Sequence, residues 1–268
     1  MTGGVTMDGN YLGRGDAPIG GETWNLLDSA MVEAAKGILA GRRLLGMSGP
    51  HGLGLKAVPL SDGRGRKGFI TSDILPVPLL QVSFCLGKRD IAAYERDRVA
   101  FDTCAVATAA CACATAEDTL VFEGATGIPG LLSAKGSASV ELSPWEPVGA
   151  AAEEIIRAVT ALDDAGFHGP YALGLAPSRY NLLLRRYPQG EGTELDHLRT
   201  IAAAGVHKAP VLKDGGVLLA SGRQYAEIVL GQDMSVGFIG PAGENLEFSI
   251  SESLVPLIHT PESVCVLK

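Results

Sequence analysis

Three cysteines, Cys104, Cys111 and Cys113, fall within ten residues, and thiols that close in sequence are the ingredients of a zinc or redox centre. Their surroundings argue against one. The run from Ala100 to Ala116 is rich in Ala, Thr and Cys and has no Gly or Pro to break it, which predicts a helix, because Ala costs least there. On a helix Cys104 and Cys111 share a face roughly 10 Å apart along the axis, and Cys111 and Cys113 point about 200° apart. Neither pair can close a disulfide or share a tetrahedral metal without unwinding. The thiols read as small buried hydrophobes.

Other chemistry-like strings fail in context. Gly63-Arg64-Gly65-Arg66-Lys67-Gly68 matches the G-x-G-x-x-G of dinucleotide loops, but that loop must open a helix, and Pro76 and Pro78 forbid one in the segment that follows. Ser48, in Gly46-Met47-Ser48-Gly49-Pro50, lacks the second Gly of a nucleophile elbow. His51, His168, His197, His207 and His259 are scattered, with no metal-binding spacing. Asp163-Asp164 precedes Gly166 and reads as a solvated helix end, and Arg14-Gly15-Asp16 reads as a chance match to an adhesion tripeptide. No catalytic set and no metal site emerges, which weighs against an enzyme without closing the case, because catalytic groups can assemble from distant positions.

The elements that would position such residues mix helix and strand. Trp24, Leu27, Met31, Ala34, Ala35 and Ile38 recur at spacings of three and four, predicting an amphipathic helix from Glu22 to Leu45. Leu53 to Leu80 reads as a long hairpin with a basic, Gly-rich tip, and a two-stranded hairpin is marginal alone, so it is expected to lie on another subunit. Leu79–Leu86 alternates as a strand. Helices are expected over Asp90–Phe101, from Glu146 or Pro147 to Leu162, over Arg179–Arg186 and over Leu195–Ala203, with Tyr187 to Thr193 as a polar loop. Strands are expected at Val211–Leu212, Val217–Ser221, Ala226–Gly231, Met234–Ile239, Leu246–Ile250, Leu254–His259 and Val264–Leu267. Without a regular βαβ rhythm this predicts an α+β fold.

Composition narrows the class. The chain has 268 residues, 46% of them apolar, with 35 Gly and 15 Pro, enough for a substantial core and many turns. A net charge of −8 argues against a nucleic-acid binder. No signal-peptide pattern and no uninterrupted apolar run of membrane-spanning length is found, so a cytoplasmic protein free of nucleic acid and membrane is expected.

Five strings together carry a resemblance. They are Tyr11-Leu12-Gly13-Arg14-Gly15-Asp16-Ala17-Pro18-Ile19 followed by Trp24; Leu39-Ala40-Gly41-Arg42-Arg43 with Gly49-Pro50-His51-Gly52; Glu117-Asp118-Thr119-Leu120-Val121-Phe122-Glu123-Gly124 with the turn from Gly127 to Leu132; Gly169-Pro170-Tyr171; and Leu230-Gly231-Gln232-Asp233-Met234-Ser235-Val236-Gly237. In this order the chain resembles the family 1 encapsulins, bacterial nanocompartment shell proteins with the fold of the Hong Kong 97-type phage major capsid protein.

The resemblance implies a peripheral domain, an axial domain and an extended loop. The expected division is an arm over 1–21, a peripheral helix segment over 22–52, the extended loop over 53–80, the peripheral domain with a spine helix over 81–133, the axial domain over 134–223, and a last peripheral part over 224–268. It implies an icosahedral homo-oligomer enclosing a cargo enzyme that docks by a C-terminal targeting peptide. The implied peptide-binding residues are Leu27, Met31, Ile38, Arg42, Asp233, Val236 and Phe238. The implied five-fold pore loop is Tyr187, Pro188, Gln189, Gly190, Glu191, Gly192, Thr193 and Glu194, with Glu191 and Glu194 multiplied by symmetry into an acidic ring. Some members stack flavin on a Trp in the segment matching Phe84 to Ile91; no Trp stands there, so no flavin is expected, with Tyr94 the nearest substitute. The packed spine predicts that Cys104 and Cys111 resist alkylation in the shell. A prophage capsid protein and an enzyme with a dispersed site are the rival readings.

Overall fold

The spine is present, and its ends differ from expectation for local reasons. In a computed structural model that describes residues 11–64, 68–188, 190 and 192–268, the helices are α1 (Gly21–Lys36), α2 (Gly41–Leu44), α3 (Lys88–Asp97), α4 (Cys104–Phe122), α5 (Ala150–Asp164), α6 (Pro177–Leu182) and α7 (Glu194–Ile201). The spine, α4, begins at Cys104 rather than Ala100. The Asp102 carboxylate accepts the Cys104 N–H at 2.8 Å and holds the preceding residues as a loop. By length and composition α4 could cross a membrane, but more than half of its apolar window is buried inside the protein.

The helix expected from Glu22 to Leu45 is two. It stops at Lys36, and α2 starts afresh because the buried Asp118 carboxylate accepts the N–H groups of Ala40 and Gly41 at 2.8 and 2.9 Å. Gly41 is obligatory there: a Cβ would stand 2.9 Å from Val121 Cγ1. The α5 helix starts at Ala150, past the first residues expected.

The strands are β1 (Gly46–Ser48), β2 (Ala57–Arg64), β3 (Ile70–Pro76), β4 (Leu79–Gly87), β5 (Gly124–Ala125), β6 (Ile128–Pro129), β7 (Ala138–Val140), β8 (Tyr171–Leu175), β9 (Gly205–Lys208), β10 (Gly216–Ala220), β11 (Ala226–Leu230), β12 (Ser235–Ala242), β13 (Asn245–Ile258) and β14 (Val264–Leu267). Two five-stranded sheets result, β1-β11-β13-β12 with β4 also on β13, and β7-β14-β10-β8-β9. The two strands expected at Leu246–Ile250 and Leu254–His259 are one. Ser251, Glu252 and Ser253 interrupt the apolar pattern, yet all are buried; the Gln232 N–H donates to Ser253 Oγ and its side-chain amide to the Ser251 carbonyl, so both serines are hydrogen-bonded in place, while Gln232 Oε1 stays buried without a hydrogen-bond partner among the described residues. The expected strand at Val211–Leu212 is a turn, and Gly205–Lys208 is the strand instead.

The chain divides into two compact units, each discontinuous in sequence. The first comprises Met1–Ile38, Gly49–Glu117 and Val229–Val255. Its core centres on Phe248, which stacks on Phe84 at 5.6 Å and meets Phe238 and Trp24 edge-on at 5.5 and 5.9 Å; Leu27, Met31, Ile91, Val106 and Cys113 complete it. The second comprises Leu39–Ser48, Asp118–Ile228 and Pro256–Lys268. Helix α5 buries Ala151, Ile155, Ala158 and Leu162 against the second sheet, the apolar stripe of an amphipathic helix. Strand β14, expected with the peripheral strands, lies inside this sheet between β7 and β10. Its four residues are all buried, the pattern of a strand covered on both faces.

The expected hairpin forms within the first unit. Val58 pairs with Leu75, Pro59 with Ile74 and Asp62 with Ser72, across an irregularity between Pro59 and Asp62. Its basic tip, Gly65-Arg66-Lys67, lies outside the described residues.

Candidate functional site

The loop between α6 and α7 stands on a foot of buried charge. Arg186 and Thr193 face each other in an antiparallel bridge, so the chain leaves and returns through one neck. The Tyr187 N–H donates to the Gly192 carbonyl at 3.2 Å. Thr193 caps α7 by a reciprocal pair: its hydroxyl accepts the Asp196 N–H at 3.2 Å, and the Asp196 carboxylate accepts the Thr193 N–H at 3.0 Å. Those bonds and the salt bridge from Arg199 hold the Asp196 carboxyl below the usual range.

This cap turns Glu194 inward. It is 0% exposed, and its carboxylate accepts from the Gly149 N–H at 2.7 Å and from Arg185 Nη2 at 3.1 Å. Arg185 also donates to the carbonyls of Leu182, Glu146 and Trp145. Trp145 sits at φ 57°, a left-handed conformation costing about 1 kcal/mol for a side chain of this size. Its surroundings hold it there: the indole donates to Glu154 Oε2 at 2.6 Å and the Arg179 guanidinium lies 5.1 Å over the ring. Burial raises the Glu154 pKa, but the bonds from Trp145 and Ser143 outweigh it and keep the carboxyl low. The foot is a continuous charged network from α5 to α7.

Above the foot, the Tyr187 hydroxyl and His197 Nδ1 stand 3.0 Å apart. Burial and then the negative Glu194 push the Tyr187 pKa up, keeping the phenol neutral. Pro188, Gly190 and Gly192 are exposed, while Gln189 and Glu191 lie outside the described residues. The expected acidic ring therefore loses Glu194: as the first residue of α7 it is consumed by Gly149 and Arg185. Arg185, Trp145, Gly149 and His197 were not foreseen here. The Thr193-x-x-Asp196 spacing of a helix cap was the signal in the sequence for the buried glutamate.

The implied peptide-binding set is divided. Leu27, Met31 and Val236 are buried in the first unit's own core, so their side chains are not open to a ligand. A stripe at helical spacing fits a core face as well as a docking face, and here the core takes it. Phe238 is half-buried on Phe248, Ile38 is half-buried and Asp233 is exposed. Arg42 falls in the second unit. The tripeptide Arg14-Gly15-Asp16 is a short 3-10 turn. Its Arg14 donates to the Val236 carbonyl, pairs with Asp28 and lies 4.5 Å over the Trp24 ring, so that arginine belongs to the fold.

Beside the segment from Phe84 to Ile91, a cleft of about 400 Å³ is lined by Cys85, Asp90, Val99, Phe101 and Asp102 among others. Tyr94 is edge-on to Phe101 at 5.4 Å and beneath Arg98 at 5.5 Å. The cysteines also depart from expectation: Cys113 is buried, with its thiol 3.4 Å from Glu252 Oε1, but Cys111 is half-buried and Cys104 exposed.

Residues 9–255 match the family model described as the encapsulating protein for peroxidase. The chain belongs to the encapsulin shell-protein family. The type 1 encapsulin shell protein of Myxococcus xanthus is 30% identical over 97% of this chain and 96% of its own length. The virus-like particle of Pyrococcus furiosus superposes with a TM-score of 0.76 at 22% identity, covering 92% of this chain and all of that one. The capsid protein of Myoviridae phage XM1 shares the fold at a TM-score of 0.59 and 13% identity, covering 86% of this chain and 91% of that one. This encapsulin subunit is thus a shell protein with the phage-capsid fold.

Proposed function

We propose that the chain closes into an icosahedral shell in the cytoplasm, encloses a cargo enzyme held by a C-terminal targeting peptide, and lines a five-fold opening with loop 187–192. One observation carries the assembly: the β2–β3 hairpin presents Phe69, Ile70 and Ile74 at 70, 70 and 65% exposure. Ile70 and Ile74 lie on the same face of β3, and an isolated hairpin with such a face is stable only against a partner. The family description names a peroxidase as the enclosed protein, which makes a redox enzyme the first cargo to try. Targeting peptides would meet Asp233 and the half-buried Ile38 and Phe238 rather than the core residues of α1.

The subunit itself is read as non-enzymatic and without flavin. Asp90 and Asp102 would repel a flavin phosphate from the cleft, and Tyr94 and Phe101 already face one another edge-on. Negative-stain microscopy of the purified chain tests the assembly: uniform hollow particles are expected, and a monomer or small ring would refute it. Co-expression with a fluorescent protein carrying the C-terminal tail of a neighbouring cargo gene tests loading, where co-purification with Asp233→Lys shells as fully as with the unaltered ones would remove Asp233 from the site.

A further inference from the structure

The cleft of about 400 Å³ beside Phe84 to Ile91 lies wholly within the first unit and carries charge of one sign. Asp90, in the first turn of α3, and Asp102, just before α4, both line it, and no Lys, Arg or His does. The neighbouring bases are engaged elsewhere: Lys88 donates to the Gly243 carbonyl, Arg96 pairs with Asp97 and Arg98 pairs with Glu22. Both carboxylates are held in place. Asp90 folds back over Gly87, where an added Cβ would stand 2.5 Å from its Oδ2. Asp102 accepts the Cys104 N–H at 2.8 Å; the bond from the Cys104 thiol and that N–H together hold its carboxyl below the usual range. Leu86, Ala93, Val99 and Phe101 supply apolar wall, and Val99 is left 54% exposed. Among the described residues no three His, Cys, Asp or Glu side chains are placed to hold a metal ion, so two fixed carboxylates beside apolar walls call for an organic cation.

We infer that this cleft binds a small organic ammonium ion, its charged nitrogen drawn to Asp90 and Asp102 and its apolar body laid against Val99 and Phe101. The carboxylates that turn away a flavin phosphate attract this charge. Because both are already held by the backbone around them, little ordering is needed when the ligand arrives. A single exposed ion pair contributes little, so recognition comes from the two carboxylates acting together with burial of the apolar body, the usual division of labour in a small-molecule site. The inference is independent of how the subunits assemble and of what the shell encloses.

The test titrates dissociated full-length subunits with three probes that share one body: phenethylamine, a cation at neutral pH, 2-phenylethanol, which is neutral, and 3-phenylpropionate, an anion. Saturation-transfer NMR reads the affinity of each. The amine is expected to bind about tenfold more tightly than the alcohol, with the acid weakest, and added salt should narrow the gap. Asp90→Asn and Asp102→Asn should each weaken the amine about threefold and leave the alcohol unchanged; Asn at 102 still offers an acceptor to the Cys104 N–H. Ala93→Phe, which fills the cleft, should abolish binding of both. Equal affinity for amine and alcohol would overturn the inference, as would an amine preference that survives in the Asp90→Asn/Asp102→Asn double variant. Amine binding undiminished in folded Ala93→Phe would place the site elsewhere and overturn it too. Should Ala93→Phe fail to fold by circular dichroism, the two Asn variants, which keep the shape of each side chain, still decide.

Discussion

Two projecting segments, loop 187–192 and the β2–β3 hairpin, obtain their shapes by opposite means. The loop is held from within: Arg185, Glu194, Trp145 and Gly149 form a polar network at its base, with Glu194 fully buried. The hairpin has a ladder of backbone bonds and a row of exposed apolar side chains, with little of its own subunit beneath it. A segment that carries its own foundation can be shaped for passage or recognition. One that lacks it is expected to take its foundation from another copy, so that the hairpin alone is ordered by assembly.

The largest effect should come from the hairpin. Replacing Ile74 by Asp puts a charge where about 1.5 to 3 kcal/mol of apolar burial is expected on assembly, and the loss repeats in every copy. Particle yield should fall by an order of magnitude or more, while the circular dichroism of the soluble chain is unchanged. Normal particles from this variant would show that the hairpin face is not a contact.

The loop foot predicts the converse, a loss within the subunit. Arg185→Met leaves the Glu194 carboxylate buried with only the Gly149 N–H, and breaking a buried pair in this way costs about 3 kcal/mol or more. Glu194→Gln keeps the shape and an acceptor for Gly149, so its cost should be about 1 to 2 kcal/mol. Urea denaturation of dissociated subunits reads both. Equal losses for the two variants would mean that the foot is held by packing rather than charge.

The same contrast explains what could be read in advance. The hairpin was legible because its information is local: alternating apolar residues, a Gly-rich tip, and prolines that forbid a helix. The Ala-rich run identified the spine helix, though not its start at Cys104. The loop foot was not legible, because Arg185, Trp145, Gly149 and Glu194 are spread over 50 residues of sequence and meet only once the second sheet has formed. Glu191 and Glu194 look alike in sequence, yet a helix cap one residue earlier commits Glu194 to the interior. On α1, periodicity identified the buried face correctly but could not say whether core or ligand buries it.

The smallest effect concerns the cysteines, where exposure and reactivity diverge. Cys104 is exposed in the subunit, which alone would make it quick to alkylate. Its neighbour opposes this: the Asp102 carboxylate accepts a hydrogen bond from the thiol and disfavours a second negative charge, raising the Cys104 pKa. Because the thiolate is the nucleophile, the raised pKa should slow labelling at neutral pH. Asp102→Asn removes the charge and lowers the pKa, so Cys104 in dissociated subunits should label about twofold faster or more, with the gap closing as pH rises toward the thiol's own pKa. Cys265, buried and with its pKa pushed up to about 11, should lag behind in both proteins and serve as the internal reference. If Asp102→Asn leaves the Cys104 rate unchanged while Cys265 stays slow, its reactivity is set by access, and the capping carboxylate at the start of the spine shapes the helix without tuning its first thiol.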